Sequence, residues 1–204
     1  MRQIGELMRM APVIPVLVIE DVGHAAEIAE ALVAGGLPVL EVTLRTPAAL
    51  DAIRAMKRVP GAVVGAGTVL NPADLGKALA AGAEFIVSPG LTPALGAAAV
   101  KSGAAFLPGT ANAGDIMLGL DLGLTHFKFF PAEASGGISA LKAIAAPFGM
   151  ARFCPTGGIT LASAPAWLAL EAVLCVGGSW LVAKGPPDCA AIEAAARAAA
   201  ALAA

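Results

Sequence analysis

The chemistry that the sequence suggests centres on one lysine inside an apolar segment. Lys128 lies in the run 126–131 (HFKFFP), whereas the other five lysines fall in predicted helices or in a loop. Alternate residues of a strand share a face, so Lys128 and Phe130 are predicted to point the same way. A buried neutral amine can attack a ketone, and the protonated imine then lets a neighbouring carbon–carbon bond break. For Lys128 alone, a structural pairing with a core carboxylate is an equally open interpretation.

A second polar set lies in the apolar run 39–45 (VLEVTLR). Glu41, Thr43 and Arg45 alternate and therefore share one face of a predicted strand. The chain has no tyrosine and only two histidines, so Glu41 is the leading candidate for proton transfer. Glu41 alone is better explained as a structural partner of Arg45 or Lys128. Together with a lysine inside a strand, catalysis becomes the favoured interpretation.

Glycine-rich turns follow several of the predicted strands. The clearest are 65–68 (GAGT), 88–90 (SPG), 155–158 (PTGG) and 177–179 (GGS). Barrels of alternating strands and helices commonly bind phosphate at the turns after strands seven and eight, through backbone N–H groups and a short helix. Gly157, Gly158, Gly178 and Ser179 are therefore predicted to form a phosphate site, in which the Ser179 hydroxyl is an additional donor.

The elements that position these residues alternate regularly. Helix-length, alanine-rich stretches separate eight short apolar runs, which indicates parallel strands joined by crossover helices. We predict one α/β domain over residues 1–204, a closed (β/α)8 TIM barrel with an extra N-terminal helix at 4–10. An open doubly wound sheet is disfavoured because no Gly-x-Gly-x-x-Gly follows the first strand. The predicted strands are 13–19, 38–44, 62–66, 84–87, 105–107, 127–130, 152–154 and 172–176.

Composition excludes several other classes of protein. Hydrophobic residues make up 58% of the chain, but charges, glycine or proline interrupt every apolar run before membrane-spanning length. The net charge of −2 without a basic run argues against a nucleic-acid partner. Cys154, Cys175 and Cys189 are widely spaced and far from either histidine, so no metal site is predicted. A reducing cytoplasm is the expected compartment.

Six segments together resemble one enzyme family, that of 2-keto-3-deoxy-6-phosphogluconate (KDPG) aldolase. The resemblance covers nearly the whole chain. The segments that carry it are 40–45 (LEVTLR), 65–68 (GAGT), 87–90 (VSPG), 127–132 (FKFFPA), 154–159 (CPTGGI) and 177–180 (GGSW).

The resemblance implies a class I aldolase that cleaves KDPG to pyruvate and glyceraldehyde 3-phosphate in the Entner–Doudoroff pathway. Lys128 matches the imine-forming lysine and Glu41 the proton shuttle, acting through a water. Arg45 and Thr68 match the positions that hold the pyruvate carboxylate. The family also implies a cytoplasmic homotrimer without metal or cofactor. The other positions of the implied substrate site are Pro89, Phe130, Thr156, Gly157, Gly158, Gly178 and Ser179.

The chain departs from the family in two places. Some members end the first strand with arginine, where this chain has 16–19 (VLVI), so Ser179 and backbone dipoles are expected to meet the phosphate charge. The loop 108–112 (PGTAN) also differs, and it leaves the stereochemical preference among sugar acids open.

Other functions remain open. The same lysine, glutamate and arginine could cleave 4-hydroxy-2-oxoglutarate, which lacks phosphate and would leave the glycine turns unexplained. A non-catalytic phosphate-binding barrel would have no need for a buried Lys128. A metal-dependent aldolase would need a ligand cluster that the strand ends lack.

Overall fold

The computed structural model describes residues 2–202, so residues 1, 203 and 204 of the predicted domain lie outside the described residues. Strands and helices alternate along the chain. The strands are β1 Val13–Leu17, β2 Val39–Thr43, β3 Val63–Gly67, β4 Phe85–Val87, β5 Ala105–Leu107, β6 Gly109–Thr110, β7 His126–Phe129, β8 Arg152–Pro155 and β9 Val176–Gly178. The helices are α1 Ile4–Leu7, α2 Ala25–Ala34, α3 Ala49–Met56, α4 Pro72–Ala80, α5 Pro93–Ser102, α6 Ala113–Asp121, α7 Gly137–Ala145, α8 Ala164–Leu168 and α9 Cys189–Ala200.

The strands form two parallel sheets rather than the predicted closed eight-stranded barrel. Six strands, in the order β5-β4-β3-β2-β1-β9, form a curled half-barrel, and β6-β7-β8 form a smaller sheet. All pairings between strands are parallel, as expected when helices connect them. The prediction of a closed (β/α)8 barrel was therefore wrong, although the α/β alternation beneath it is present.

The two sheets separate at Pro108 and again after β8. Pro108 has no N–H, so it cannot continue the ladder: β5 pairs with β4, while β6 pairs with β7. On the other side, only isolated bridges, such as Thr156–Gly177, connect β8 to the segment that ends in β9. The predicted eighth strand, 172–176, was also misplaced, because the glycines expected to form a turn continue β9 and pair with β1.

Local sequence explains how the helices begin and how the first one packs. Asn71 and Thr92 precede prolines, and their side chains accept hydrogen bonds from the N–H groups of residues 74 and 95, at 2.9 and 3.2 Å. The N-terminal helix is shorter than the predicted 4–10. Leu7 and Met8 are buried in the small core cluster that also contains Cys154 and Cys175.

Polar residues are few in the core, and each of them lies on a strand or directly after one. Strands covered on both faces are normally apolar throughout, which makes these positions the informative ones. None of the helices within residues 2–202 is long and apolar enough to cross a membrane. The buried polar residues are Glu41, Thr43, Ser88, Thr110, Lys128 and Thr156.

Candidate active site

An amine and a carboxylate meet between the two sheets. Lys128 on β7 donates from Nζ to both carboxylate oxygens of Glu41 on β2, at 3.1 Å to Oε1 and 3.4 Å to Oε2. The two side chains are only 7% and 4% exposed. Removing one of two buried, paired charges leaves the other uncompensated, so the contact must be retained or replaced in any state of the site. Of the two structural partners considered for Glu41, the structure selects Lys128.

Glycine and threonine residues hold the carboxylate in position. Glu41 lies in register with Gly65 on β3, and the glycine two residues further along β3, Gly67, leaves room for its side chain. A Cβ at Gly67 would overlap the Glu41 carboxylate. Thr43, buried on the same strand, donates from Oγ1 to the carbonyl oxygen of Leu17 at 2.8 Å and ties β2 to β1. The pair therefore depends on close backbone approach as well as on charge.

Arg45 and Thr68 lie together beyond the ends of β2 and β3. Arg45 Nε donates to Thr68 Oγ1 at 3.3 Å. Thr68 has a φ of 58°, a backbone conformation that is costly for a branched residue and that clusters at functional sites. Arg45 is therefore hydrogen-bonded to Thr68, and Glu41 is paired with Lys128.

An aromatic ring borders the amine, and Pro89 contacts the neighbouring strand β6. Lys128 Nζ lies 5.3 Å from the centre of the Phe130 ring, within the range of a cation–π contact. Thr110 on β6, in the loop whose role the sequence left open, lies 3.5 Å from the Lys128 carbonyl oxygen through its hydroxyl. Pro89 packs through its backbone against Gly109, where any Cβ would overlap its carbonyl group. Pro89 and Phe130 thus lie on elements that adjoin the lysine strand.

The glycine turn after β8 lies beside the glycines that form the end of β9. Gly157 and Gly158 have φ values of 104° and 81°, which glycine adopts without strain. Thr156 is buried, and a Cβ at Gly177 would overlap its side chain, so the turn after β8 packs directly against β9. Gly178 is buried in β9, and Ser179 follows it at the surface.

A cavity of about 590 Å³ opens beside Ser179, the one predicted phosphate residue that lines it. Arg45, Val18 and Lys184 also line it. Lys128 and Glu41 do not, so the cavity is separate from the amine–carboxylate pair. Lys184, in the loop after β9, had no predicted role. Its position five residues after Ser179 was the available clue to its presence in this cavity.

Two buried thiols lie close to the lysine strand, where Cys154 on β8 is in register with Lys128. Cys154 and Cys175 are buried as free thiols. The hydrogen bond that the Cys175 thiol makes to Cys154, reinforced by burial, raises the pKa of Cys175 well above its usual value, which keeps the thiol protonated. Within residues 2–202, no group of three or more His, Cys, Asp and Glu side chains is arranged to hold a metal ion.

The geometry defines a class of site: a buried amine, paired with a carboxylate, on strands that lead to a glycine turn. Comparison with known proteins identifies the family. The family model "Aldolase: KDPG and KHG aldolase" matches residues 4–195, and the chain belongs to that family. It is therefore an aldolase, a lyase.

Individual relatives agree with the family match. The chain is 66% identical over 197 residues to 2-dehydro-3-deoxy-phosphogluconate aldolase of Zymomonas mobilis, covering 97% of this chain and 95% of the relative. It is 56% identical over 177 residues to KHG/KDPG aldolase of Escherichia coli, covering 86% and 83% of the two chains.

Solved structures are equally similar. The Z. mobilis ZM4 2-keto-3-deoxy-6-phosphogluconate aldolase with 3-phosphoglycerate superposes with a TM-score of 0.98 at 64% identity, over 100% of this chain and 97% of that one. The KDPG aldolase of Legionella pneumophila, with pyruvate captured as a covalent carbinolamine intermediate, gives 0.94 at 44% identity, over 98% of each chain.

Proposed function

We propose that this aldolase cleaves KDPG to pyruvate and glyceraldehyde 3-phosphate through an imine on Lys128. The observation that carries the proposal is the Lys128–Glu41 contact of 3.1 Å between two side chains that water scarcely reaches. The KDPG aldolase names of the relatives support the substrate, and the pyruvate carbinolamine of the L. pneumophila protein supports covalent chemistry at an amine. A carbinolamine is the precursor of an imine.

The covalent steps require the amine to lose a proton and later regain it. Neutral Lys128 Nζ attacks the C2 ketone and forms the carbinolamine, which expels water and becomes a protonated imine. Glu41 is placed to take the proton that the amine must release, directly or through a water. The same carboxylate can then return protons to the departing oxygen, because it lies within hydrogen-bond reach of the reacting nitrogen.

Cleavage follows once the imine is in place. Loss of the C4 hydroxyl proton drives the C3–C4 electron pair into the protonated imine, which yields an enamine and releases glyceraldehyde 3-phosphate. Protonation of the enamine at C3 gives the imine of pyruvate. Water then releases pyruvate and restores the amine, so the water expelled earlier is consumed again. Glu41 is the carboxylate that we assign to these proton transfers.

We assign the two ends of the substrate to two groups of residues. Arg45 and Thr68, joined by their hydrogen bond, are proposed to hold the carboxylate of pyruvate, with Pro89 and Phe130 as walls. The remaining end carries the phosphate, for which the sequence predicted four residues and the cavity adds Lys184. The proposed phosphate residues are Gly157, Gly158, Gly178, Ser179 and Lys184, next to the buried Thr156.

Borohydride trapping tests the imine. Reduction in the presence of pyruvate should add one pyruvate-derived group per chain, and peptide mapping should place it on Lys128. Reduction without pyruvate is the control and should leave the mass unchanged. A modification at Lys184 or Lys142 would contradict the assignment.

We further infer that the reaction uses no metal and no cofactor. The imine itself withdraws the electrons that a metal ion would otherwise stabilise. Activity should survive exhaustive chelation with EDTA. Loss of activity that zinc or magnesium restores would place the enzyme in the metal-dependent class of aldolases.

The assembly and compartment are also proposals. We infer a cytoplasmic homotrimer of one-domain chains, 1–204, with a small-molecule substrate and no nucleic-acid or membrane partner. The three free cysteines support a reducing compartment such as the cytoplasm, and the family resemblance supports the homotrimer. Sedimentation equilibrium should give about three times the 20.0 kDa chain mass. A monomer would contradict the trimer.

A second activity, cleavage of 4-hydroxy-2-oxoglutarate to pyruvate and glyoxylate, is favoured by one specific observation. The amine–carboxylate pair is complete without the cavity that Ser179 lines, so its chemistry does not require phosphate. The E. coli relative carries both substrates in its name. We expect kcat/KM to be higher for KDPG, because only KDPG engages the glycine turns.

A further inference from the structure

The segment that follows the lysine strand is joined along its backbone to the first glycine turn. Ala132 donates its N–H to the carbonyl oxygen of Thr156 at 2.8 Å, and Glu133 donates its N–H to that of Gly157 at 3.1 Å. Neither contact belongs to a strand or a helix. These two hydrogen bonds join the loop after β7 to the turn after β8, and so connect the lysine strand with the predicted phosphate end.

The side chain of Glu133 extends this connection to α8. Its Oε1 accepts a hydrogen bond from Trp167 Nε1 at 3.0 Å. Trp167 is only 1% exposed, and its ring packs against Phe129 on the lysine strand, with 6.3 Å between ring centres. A buried indole N–H requires a partner, so the tryptophan holds the Glu133 carboxylate in one place. Much of the glutamate is nevertheless exposed, so packing alone does not hold its carboxylate.

The stem of Glu133 lies directly on the glycine turn. A Cβ at Gly158 would be 2.8 Å from both Cβ and Cγ of Glu133, and one at Gly157 would be 3.3 Å from the Cα of Pro131. A side chain at Gly158 would collide with the Glu133 stem and one at Gly157 would be tight, so glycine at both positions is what allows the turn and the loop to lie this close. Glycine at both positions and the fixed glutamate stem together determine where the N–H groups of the turn lie.

We propose that Glu133 and Trp167 are positioning residues for the phosphate end of the substrate, an inference that rests on the proposed function. The hydrogen bond between them fixes the glutamate stem against Gly158, and the stem fixes the turn. The same hydrogen bond holds the Glu133 carboxylate against Trp167 on α8. The negative charge is thereby kept away from a phosphate bound at the turn. Neither residue takes part in the chemistry at Lys128.

The test compares a variant that loses the hydrogen bond with one that keeps it. Glu133→Ala and Trp167→Phe both lose it, whereas Glu133→Gln keeps an acceptor oxygen and the same stem. The probe is inorganic phosphate, measured as a competitive inhibitor of KDPG cleavage, because KDPG is the substrate that occupies the proposed phosphate end. We expect Glu133→Ala and Trp167→Phe to raise the inhibition constant about tenfold, within the 10²-fold that a misplacement of about 1 Å can cost. Glu133→Gln should stay within about twofold of the unmodified enzyme.

Two further measurements decide between positioning and general damage. The double variant should be no worse than either single variant, because both remove the same contact. The preference for KDPG over the unphosphorylated substrate, as a ratio of kcat/KM values, should fall in parallel with phosphate binding. Glu171→Ala, a matched change at an exposed glutamate after α8, should leave both quantities unchanged.

The outcomes separate this inference from the function on which it rests. Equal losses in Glu133→Gln and Glu133→Ala, or additive losses in the double variant, would overturn the role of the hydrogen bond. If Ser179→Ala lowers the KDPG preference but Glu133→Ala does not, only the positioning inference fails. If Ser179→Ala leaves the preference unchanged, the phosphate assignment itself fails. Thermal unfolding of Trp167→Phe reports any loss of fold, and Glu133→Ala carries the test in that case.

Discussion

Two basic side chains on the same face of β7, only two residues apart, lie in opposite electrostatic environments. His126, at the amino end of the strand, is partly buried, and the burial lowers its pKa; the charges of Arg9 and Arg152 lower it further. Lys128, nearer the carboxyl end, faces the carboxylate of Glu41. One position therefore disfavours a positive charge, whereas the other provides a partner for it.

The difference shows that the two ends of one strand have different roles. The amino end stabilises the fold, and the carboxyl end carries the reactive groups. At the amino end the histidine ring supports α1, because a Cβ at Gly5 would lie 2.6 Å from His126 Nε2. An uncharged ring suits that contact. At the carboxyl end the buried ion pair keeps an amine and a proton acceptor together. Barrels of this general type show the same division, with reactive groups at the carboxyl ends of strands and stabilising ones at the amino ends.

The largest effect is expected from removing the amine. Lys128→Ala should lower kcat/KM for KDPG by roughly 10⁴–10⁶-fold, as when a covalent nucleophile is lost, and should abolish the borohydride adduct. Lys142→Ala, at an exposed lysine on α7, is the matched control and should keep full activity. Steady-state kinetics and intact mass measure the two effects. An active Lys128→Ala enzyme would show that the reactive end of β7 has been misidentified.

The second effect concerns the partner of the amine. Glu41→Gln keeps the shape of the side chain but loses the titrating group, so kcat should fall by roughly 10²–10⁴-fold. Glu84→Gln, next to β4 and bonded only to a backbone N–H, should have little effect. Single-turnover kinetics with KDPG would show which step has slowed. Near-normal turnover would leave Glu41 as no more than a structural counterion of Lys128.

A smaller effect is expected at the phosphate end. Ser179→Ala removes one hydrogen bond to a charged oxygen, worth about 1.5–3 kcal/mol, or roughly a ten- to hundred-fold loss in kcat/KM for KDPG. Cleavage of 4-hydroxy-2-oxoglutarate should change far less, so the ratio of the two kcat/KM values is the measurement. Ser139→Ala on α7 should not move that ratio. Equal losses on both substrates would place Ser179 with the shared chemistry instead.

The smallest effect is on stability at the amino end of β7. The pKa of His126 is lowered in the folded protein, so the unfolded chain takes up a proton more readily. The contribution of the neutral ring to the free energy of unfolding is fully present above about 6.5, the pKa of His126 in the unfolded chain. It is lost as the pH falls through the lower pKa of His126 in the folded protein. The free energy of unfolding, measured with urea, should therefore be lower at about pH 5.5 than at about pH 7.5. His126→Gln should abolish this difference.

Arg9→Gln provides the control for this stability effect. It removes one of the two positive charges and should reduce the loss without abolishing it, because burial is the larger cause. If the unmodified protein and His126→Gln lose stability equally on acidification, the contrast between the two ends of β7 does not rest on His126.

Sequence patterns predicted the positions of most elements, because apolar runs and helix caps are local. Asn71 and Thr92 cap their helices, as these residue types commonly do immediately before a proline, and Lys128 was recognised as the lysine inside a strand. The number and closure of the sheets were not predictable in the same way. They depend on whether neighbouring strands align over enough residues, and Pro108 prevents this between β5 and β7.

By itself, the sequence determined which residue types can do the chemistry: one lysine among phenylalanines, a glutamate in an apolar run, and glycine turns after strands. Only the tertiary structure decided which of them meet. Alternation along a strand assigns a face but not a partner, so the choice of Lys128 over Arg45 as the partner of Glu41 required the packing of β2 against β7 across the core. The same holds for Lys184 beside Ser179 and for Trp167 beside Glu133, because these pairs come from separate elements that converge only in the folded chain.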